Sequence, residues 1–355
     1  REEIINGIKI YRLPFVNSNK LNSIISMPFY LNPFWLVFAN RIIKNEGTDL
    51  IIVRDLPLIL IGLIIKKKYN IPLILDMAED YPSLYRFGIQ KWDLNACKNF
   101  LIRNHYLIGY IEKFVVKKID YNLVVIEESA KRLIEMGVNE AKISIVSNTP
   151  DLNIFRKKNI YYKEINKGKR LRLIYVGFVQ EERGLGTVIN SLNVIKKIGF
   201  LTEFVIIGNG NYLNQLKDLS HENQVEDMVK FKDWMKKTSI PQYIFESDIG
   251  VIPHTKTDHS DTTIPNKLFD FMACGKPVIV SNAEPMKRIV EEERCGLVFE
   301  SGSVDSFVNA VTQLINNPSM AQEMGKRGLD AVSRRYNWEH DSLVLKEVIE
   351  RFKTN

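Results

Sequence analysis

The residues best equipped for chemistry lie in one stretch, Ser260–Val280, SDTTIPNKLFDFMACGKPVIV. A loop of small hydroxyls runs into a helix expected over Pro265–Ala273. Pro265 then occupies the first turn, where its missing N–H costs nothing. The unpaired backbone N–H groups of such a helix start attract anions, and their spacing suits a pyrophosphate. Lys267 adds a positive charge beside them. Asp270, about one turn further on, offers a carboxylate to ribose hydroxyls. Gly275-Lys276-Pro277 then turns the chain into a buried strand. The same residues also describe an ordinary capped helix in an α/β sheet.

Other stretches add to this one. Tyr175-Val176-Gly177-Phe178 ends an apolar strand, and Gly177 lets backbone come close to a ligand, although many strands of this kind end in glycine. Arg183-Gly184 precedes the next helix and offers a guanidinium to phosphate. Gly208-Asn209-Gly210 follows a strand, but the third glycine of a dinucleotide fingerprint is Leu213, which disfavours a nicotinamide cofactor. Asp76, Glu79 and Asp80 cluster after another strand; they suit acceptor hydroxyls or proton transfer, and equally a turn before Tyr81-Pro82. His254 and His259 flank the Ser260 loop on a segment that reads as flexible. The five histidines make no metal-ligand spacing, and there is no P-loop or nucleophile elbow.

The elements that must position these residues alternate strand with helix. Strands are expected at Ile8–Leu13, Asp49–Val53, Pro72–Leu75, Tyr121–Val125 and Ile143–Val146, with helices at Leu58–Lys68, Leu94–Lys118 and Ser129–Met136. A lysine-rich stretch, 156–170, reads as a linker. Strands then restart at Leu171–Val176, Glu203–Ile207, Val229–Phe231, Ile249–Ile252 and Pro277–Val280. Helices are expected at Leu185–Ile198, Tyr212–Ser220, Ile240–Phe245, Glu284–Glu291, Val304–Asn316, Ser319–Tyr336 and Trp338–Phe352. This is the pattern of α/β, doubly wound parallel sheets that bind ligands at their strand C-terminal ends. With 355 residues, two domains are expected: 1–155 and 171–337, the helix 338–352 packing back on the first.

Composition narrows the classes. The net charge is +7, and residues 1–150 hold 20 Lys/Arg against 15 Asp/Glu. A mild basic excess of this kind favours phosphate-bearing ligands or an anionic membrane surface, while a solvated face explains a single cluster such as Lys66-Lys67-Lys68 equally well. No basic arm or nucleic-acid motif is present, so nucleic acid is not an expected partner. Cys97, Cys274 and Cys295 are odd in number and far apart, which speaks against a disulfide framework and fits a cytoplasmic setting. No leader is expected, and the apolar run Pro57–Ile65 is too short to span a bilayer. Ile24–Ala39, aromatic and broken by prolines, reads as an interfacial segment or as a buried loop and helix.

Taken in order, LIYVGFVQEERGLGTVINSL, FVIIGNGNYLNQL, VKFKDWM, SDIGVIPH and PNKLFDFMACGKPVIVSN resemble the second domain of the family-4, or group 1, retaining glycosyltransferases of the GT-B fold. LIIVRDLPLILIGLIIKKKYNIPLILDMAEDYP and YIEKFVVKKIDYNLVVIEESAKRLIEMGVNEAKISIVSNTPD resemble the first domain, and RRYNWEHDSLVLKEVIERF its closing helix. The resemblance implies two Rossmann-like domains facing a cleft and sugar transfer with retention from a nucleotide-diphosphate sugar, most commonly a UDP-sugar. The acceptor would be a glycan or a lipid-linked glycan, at the inner membrane face, and no cofactor or essential metal would be needed. The implied donor-binding residues are Gly177, Phe178, Arg183, Gly208, Thr262, Pro265, Asn266, Lys267, Leu268 and Asp270, with Asp76 and Glu79 on the acceptor side. The departures fall on functional positions. The family's paired acids align with Thr262 and Asp270, its paired cations with Phe178 and Arg183, and its acceptor-side histidine with Ala78. The family's first strand, glycine-rich loop and first helix are expected before Gly7 and are not matched. A catalytically inactive binding or scaffold subunit therefore stays open, as does, more remotely, a nucleotide-sugar epimerase.

Overall fold

A computed structural model describes residues 2–13, 18, 31–86, 104–155 and 170–353. The chain divides into two compact units, Arg1–Val146 with Val344–Asn355, and Ser147–Leu343. Residues 147–155, expected with the first domain, fall in the second unit. The expected linker, all but residue 170, and Cys97 lie outside the described residues, as do the first parts of the Leu94–Lys118 helix and of the Ile24–Ala39 segment.

The first unit opens with a hairpin of β1 (Glu2–Ile5) and β2 (Ile8–Tyr11). Asn6 and Gly7 make its turn with φ of +52° and +82°, a backbone that Asn-Gly adopts readily. β1 was not expected, because its four residues are exposed and show no apolar alternation. α1 (Pro33–Glu46) starts at Asn32, whose side chain accepts from Phe34 N at 3.0 Å. There follow β3 (Ile51–Arg54), α2 (Ile59–Tyr69), β4 (Leu73–Met77), α3 (Tyr81–Arg86), α4 (His105–Val115), β5 (Tyr121–Val124), α5 (Glu127–Glu135) and β6 (Ile143–Ile145). The four strands β3-β4-β5-β6 form one parallel sheet in chain order. Leu73, Leu75 and Met77 pack on one face with Ile59, Ile108 and Leu133; Ile74, Tyr121 and Leu123 face the other way, against Val348 near the chain's end.

The second unit contains α6 (Leu152–Phe155), β7 (Leu171–Val176), α7 (Leu185–Lys197), β8 (Thr202–Ile207), α8 (Leu213–Glu222), β9 (Val229–Lys232), α9 (Ile240–Glu246) and β10 (Ile249–Ile252). It continues with α10 (Lys267–Ala273), β11 (Val278–Ser281), α11 (Glu284–Glu293), β12 (Gly296–Phe299), α12 (Val304–Asn316), α13 (Pro318–Arg334) and α14 (Trp338–Glu350). The six strands are parallel, in the order β12-β11-β10-β7-β8-β9. The winding therefore reverses between β7 and β10, which pair directly. In a doubly wound sheet that reversal opens a crevice at the strand C-terminal ends, because the two connecting loops leave in opposite directions. β12 was not expected: it begins with glycine, and three of its four residues are only partly buried. α14 begins in the second unit, where Trp338 N donates to Pro150 O at 3.0 Å and Thr149 Oγ1 donates to Asp341, and its last turns belong to the first. Among the described residues no helix is long and apolar enough to cross a membrane.

Candidate functional site

The β7–β10 reversal gathers most of the sequence candidates. β7 is followed by Gly177-Phe178 and β10 by Pro253-His254, so the two loops leave the sheet side by side. Gly177 has φ of +142°, and a Cβ built on it would lie 2.9 Å from Lys267 Nζ. Gly208, after β8, has φ of +147°, and its Cβ would lie 1.9 Å from the Gly177 carbonyl oxygen. Only glycine fits there, and the result is a narrow shelf of bare backbone. Gly208 N donates to Lys232 O and Gly177 N to Ile207 O, so these amides extend the ladder and are not free for a ligand.

Lys267 stands over this shelf. Its ammonium lies 4.4 Å from the centre of the buried Tyr175 ring, 3.3 Å from the Tyr175 hydroxyl and 3.4 Å from His254 Nε2. The Tyr175 hydroxyl donates onward to Phe178 O at 2.7 Å, which fixes the ring and leaves the oxygen's lone pairs toward Lys267. Burial, with the Arg183 guanidinium as a lesser cause, pushes the Lys267 pKa well below that of a free lysine. Burial, then Lys267 and Arg183, likewise hold His254 well below its ordinary value. Neither Arg183 nor Lys267 has a carboxylate ion-pair partner among the described residues. Two basic side chains thus converge with a buried imidazole, and the one acid acting on Lys267, Asp270, forms no ion pair with it, an arrangement that an anion would relieve.

Asp270 is the acid of this neighbourhood, one turn into α10. Burial raises its pKa from 3.8 to about 6, and Lys237 and Lys267 pull it back down in part. Its carboxylate accepts no hydrogen bond among the described residues. A carboxylate left underused in this way is suited to accept from ligand hydroxyls.

Several expectations need correction. Pro265 does not open the helix: α10 begins at Lys267 after Asn266, and the Leu268 and Phe269 amides already bond to the Pro265 and Asn266 carbonyls at 3.0 and 3.1 Å. The expected run of free N–H groups is therefore mostly used within the turn. The Leu268 side chain is fully buried and supports the helix from beneath. Thr262 Oγ1 donates to Asp258 O and His259 O at 3.0 and 3.2 Å, and so faces its own loop. The neighbouring Asp261 accepts from Glu284 N at 2.9 Å and caps α11. His254, read as flexible, is only 5% exposed. Phe178 is exposed and lies against Trp234, ring centres 5.1 Å apart and planes tilted by 34°. Sequence reasoning also missed Tyr175, whose partner Lys267 stands 92 residues away, and Trp234, because nothing in a linear pattern brings the ends of β7 and β9 together.

The acceptor-side candidates lie in the first unit. Asp76 sits near the end of β4 and is held by Arg54 Nη1 at 2.5 Å. Asp55, which was not singled out, has φ of +62° and accepts from Ala78 N at 2.9 Å; burial raises its pKa. Glu79 follows two residues after β4 and is partly buried. Asp80 is a structural group, accepting from Ser83 N and Ser83 Oγ at the start of α3. Among the described residues no cluster of three or more His, Cys, Asp or Glu is arranged to hold a metal ion.

Residues 157–330 match the family described as glycosyl transferases group 1. The chain is 27% identical over 182 residues to an amylovoran biosynthesis glycosyltransferase, AmsK, of Erwinia amylovora, covering 51% of this chain and 45% of that protein. It is 27% identical over 186 residues to a GDP-mannose-dependent alpha-(1-6)-phosphatidylinositol monomannoside mannosyltransferase of Mycobacterium tuberculosis, covering 52% of this chain and 48% of that protein. These matches span about half the length of those relatives. Among solved structures the fold is similar to sucrose-phosphate synthase from Thermosynechococcus elongatus, with TM-score 0.77 and 16% identity over 98% of this chain and 84% of that one. It is also similar to Anabaena Alr3699/HepE in complex with UDP, with TM-score 0.71 and 15% identity over 88% and 81%.

Proposed function

We propose that this chain, whose residues 157–330 match the glycosyl transferases group 1 family, is a GT-B enzyme that moves a sugar with retention from a nucleotide-diphosphate sugar to a glycan or lipid-linked acceptor. The observation that carries the reading is the convergence of Lys267 and Arg183, without a pairing carboxylate, on the bare Gly177–Gly208 shelf at the β7–β10 reversal. The diphosphate would lie over that shelf, against the two cations. Asp270 would accept from the ribose hydroxyls, and the exposed Phe178 and Trp234 rings would offer apolar surface to the base or the sugar.

As the sugar–phosphate bond breaks, negative charge grows on the departing diphosphate. Lys267 and Arg183 are already in position, so their attraction needs little reorganisation. An anion placed there favours the charged form of Lys267, because it offsets the burial cost of that charge. No essential metal is assigned to this step: the two side-chain cations carry the charge. Asp76 and Glu79 are the proposed acceptor contacts. Because Asp76 is held by Arg54, its part is to orient a hydroxyl; the acceptor proton is assigned to the departing phosphate.

The donor base is proposed as uracil, since a structural relative is solved with UDP, while a sequence relative is named for GDP-mannose. Incubating the protein with UDP- and GDP-sugars and a pooled glycolipid extract, then reading products by mass spectrometry, tests transfer. Proton NMR of the first-formed product reads its anomeric configuration. Transfer with inversion would overturn the retaining assignment, and transfer from GDP-sugars alone the uracil assignment.

A second reading is favoured by one observation. Thr262 faces its own loop and Asp261 caps α11, so the place of the family's first acid offers no free carboxylate. A protein that binds nucleotide sugar without transferring it would fit that arrangement. Tight nucleotide binding with no product from any donor would support it.

A further inference from the structure

Asp55 joins β3 to the turn that leads into α2, and its backbone is unusual. Its φ and ψ are +62° and 173°, a region that only glycine enters without strain. The next residue, Leu56, is fully buried in the core, so the chain must turn sharply here. Glycine would make that turn freely. Aspartate brings a carboxylate instead, and the fold uses it.

Asp55 ties its own loop to the one that follows β4. Its N–H donates to the Asp76 carbonyl at 2.8 Å, and its Oδ1 accepts from Ala78 N at 2.9 Å. Arg54 closes the knot, with Nη1 at 2.5 Å from Asp76 Oδ2 and Nε at 3.7 Å from Asp55 Oδ2. Further along the same loop, Asp80 accepts from Ser83 N at 3.2 Å and lies 3.6 Å from Arg132 Nη1. Arg132 is itself gripped at 2.7 and 2.8 Å by Glu112, which is fully buried. The backbone from Asp76 to Asp80 is therefore held at both ends, and Glu79 stands between the two holds. Both holds are costly: one strains Asp55, and the other takes Glu112 and Arg132 out of water.

We infer that Asp55 is a positioning residue, which by holding the Asp76 carbonyl and the Ala78 amide sets Asp76 and Glu79 where they meet the acceptor. The inference rests on the proposal that those two residues contact the acceptor during sugar transfer. Asp55 acts through the loop and is assigned no contact with sugar or phosphate. With the loop loosened, the acceptor hydroxyl is less well oriented, and water competes better for the same donor. In that side reaction the sugar–phosphate bond breaks, the sugar bonds to the water oxygen, and the water's proton leaves with the phosphate.

The test compares Asp55→Gly, Asp55→Ala and Asp55→Asn with the wild type. Hydrogen exchange of residues 76–84, read by mass spectrometry, reports the tie itself. Incubation with UDP- and GDP-sugars and a pooled glycolipid extract gives the ratio of sugar transferred to the extract to sugar released to water. Asp55→Gly and Asp55→Ala are expected to speed exchange about 10-fold and to lower the ratio about 10-fold, as for a lost hydrogen bond to a charged group. Asp55→Asn keeps an oxygen for Ala78 N and is expected to restore most of both. Asp55→Gly is expected to melt at a higher temperature than Asp55→Ala, because it alone relieves the strain, and yet to show the same loss of ratio. A ratio that recovers with stability in Asp55→Gly would overturn the inference, leaving the turn only the task of seating Leu56. Unchanged exchange in Asp55→Gly would overturn it too. Transfer by the wild type with the ratio kept in Asp55→Gly would sink the inference alone, whereas no transfer by the wild type from any donor would sink the reading beneath it and the inference with it.

Discussion

Lys267 and Asp270 are two ionisable residues whose charged forms burial disfavours. Lys267→Ala is expected to weaken nucleoside-diphosphate binding about 10- to 100-fold, the range for losing a hydrogen bond to a charged group, and titration calorimetry reads it directly. Asp270 makes a second, opposite prediction about stability. Its folded pKa of about 6 lies above the unfolded 3.8, so the folded state holds its proton more tightly. The associated stability is therefore fully present below pH 3.8 and is lost as pH rises through about 6. Asp270→Asn keeps the neutral form at all pH values. It is expected to be more stable than the wild type at pH 7, by up to about 3 kcal/mol, and to converge with it near pH 4. Denaturant melts at the two pH values check this. The same variant is expected to bind nucleotide more weakly, since an amide is a poorer acceptor for ribose hydroxyls than a carboxylate.

At the element scale the site depends on how closely loops approach one another. A Cβ at Gly208 would fall 1.9 Å from a neighbouring carbonyl oxygen, which no side-chain movement can relieve, and φ there is +147°. Gly208→Ala is expected to cost about 3 kcal/mol or more, visible as a lowered urea midpoint. A Cβ at Gly177 instead meets the flexible end of Lys267, so Gly177→Ala is expected to impair nucleotide binding as well as stability. Much of this scaffold was legible in the sequence. From Leu171 onward the strands are short apolar runs bounded by glycine and polar turns, and most fall within a residue or two of their expected ends. What failed was local chemistry that a pattern does not encode. Pro265 suggested a helix start, but the turn through Asn266 delays α10 to Lys267 and consumes the amides expected to hold phosphate. β12 and β1 were missed because partly or fully exposed strands lack an alternating pattern. Tyr175 and His254 were not foreseen as partners of Lys267, because their contact is made by the pairing of β7 with β10 and not by sequence spacing.

For the whole molecule, each unit has its own sheet and core, and the proposed donor-site residues all come from the second. Nucleotide is therefore expected to stabilise chiefly the transition that unfolds that unit, which scanning calorimetry can resolve if the two melt separately. The β7–β10 reversal of the second unit is proposed to bind a nucleoside diphosphate through Lys267 and Asp270. The most direct test is the shift in melting temperature caused by UDP, GDP and ADP in the wild type, Lys267→Ala and Asp270→Ala. A rise with one of these nucleotides is expected in the wild type, shrinking or vanishing in both variants. A rise of equal size in all three proteins, or none in the wild type, would contradict it.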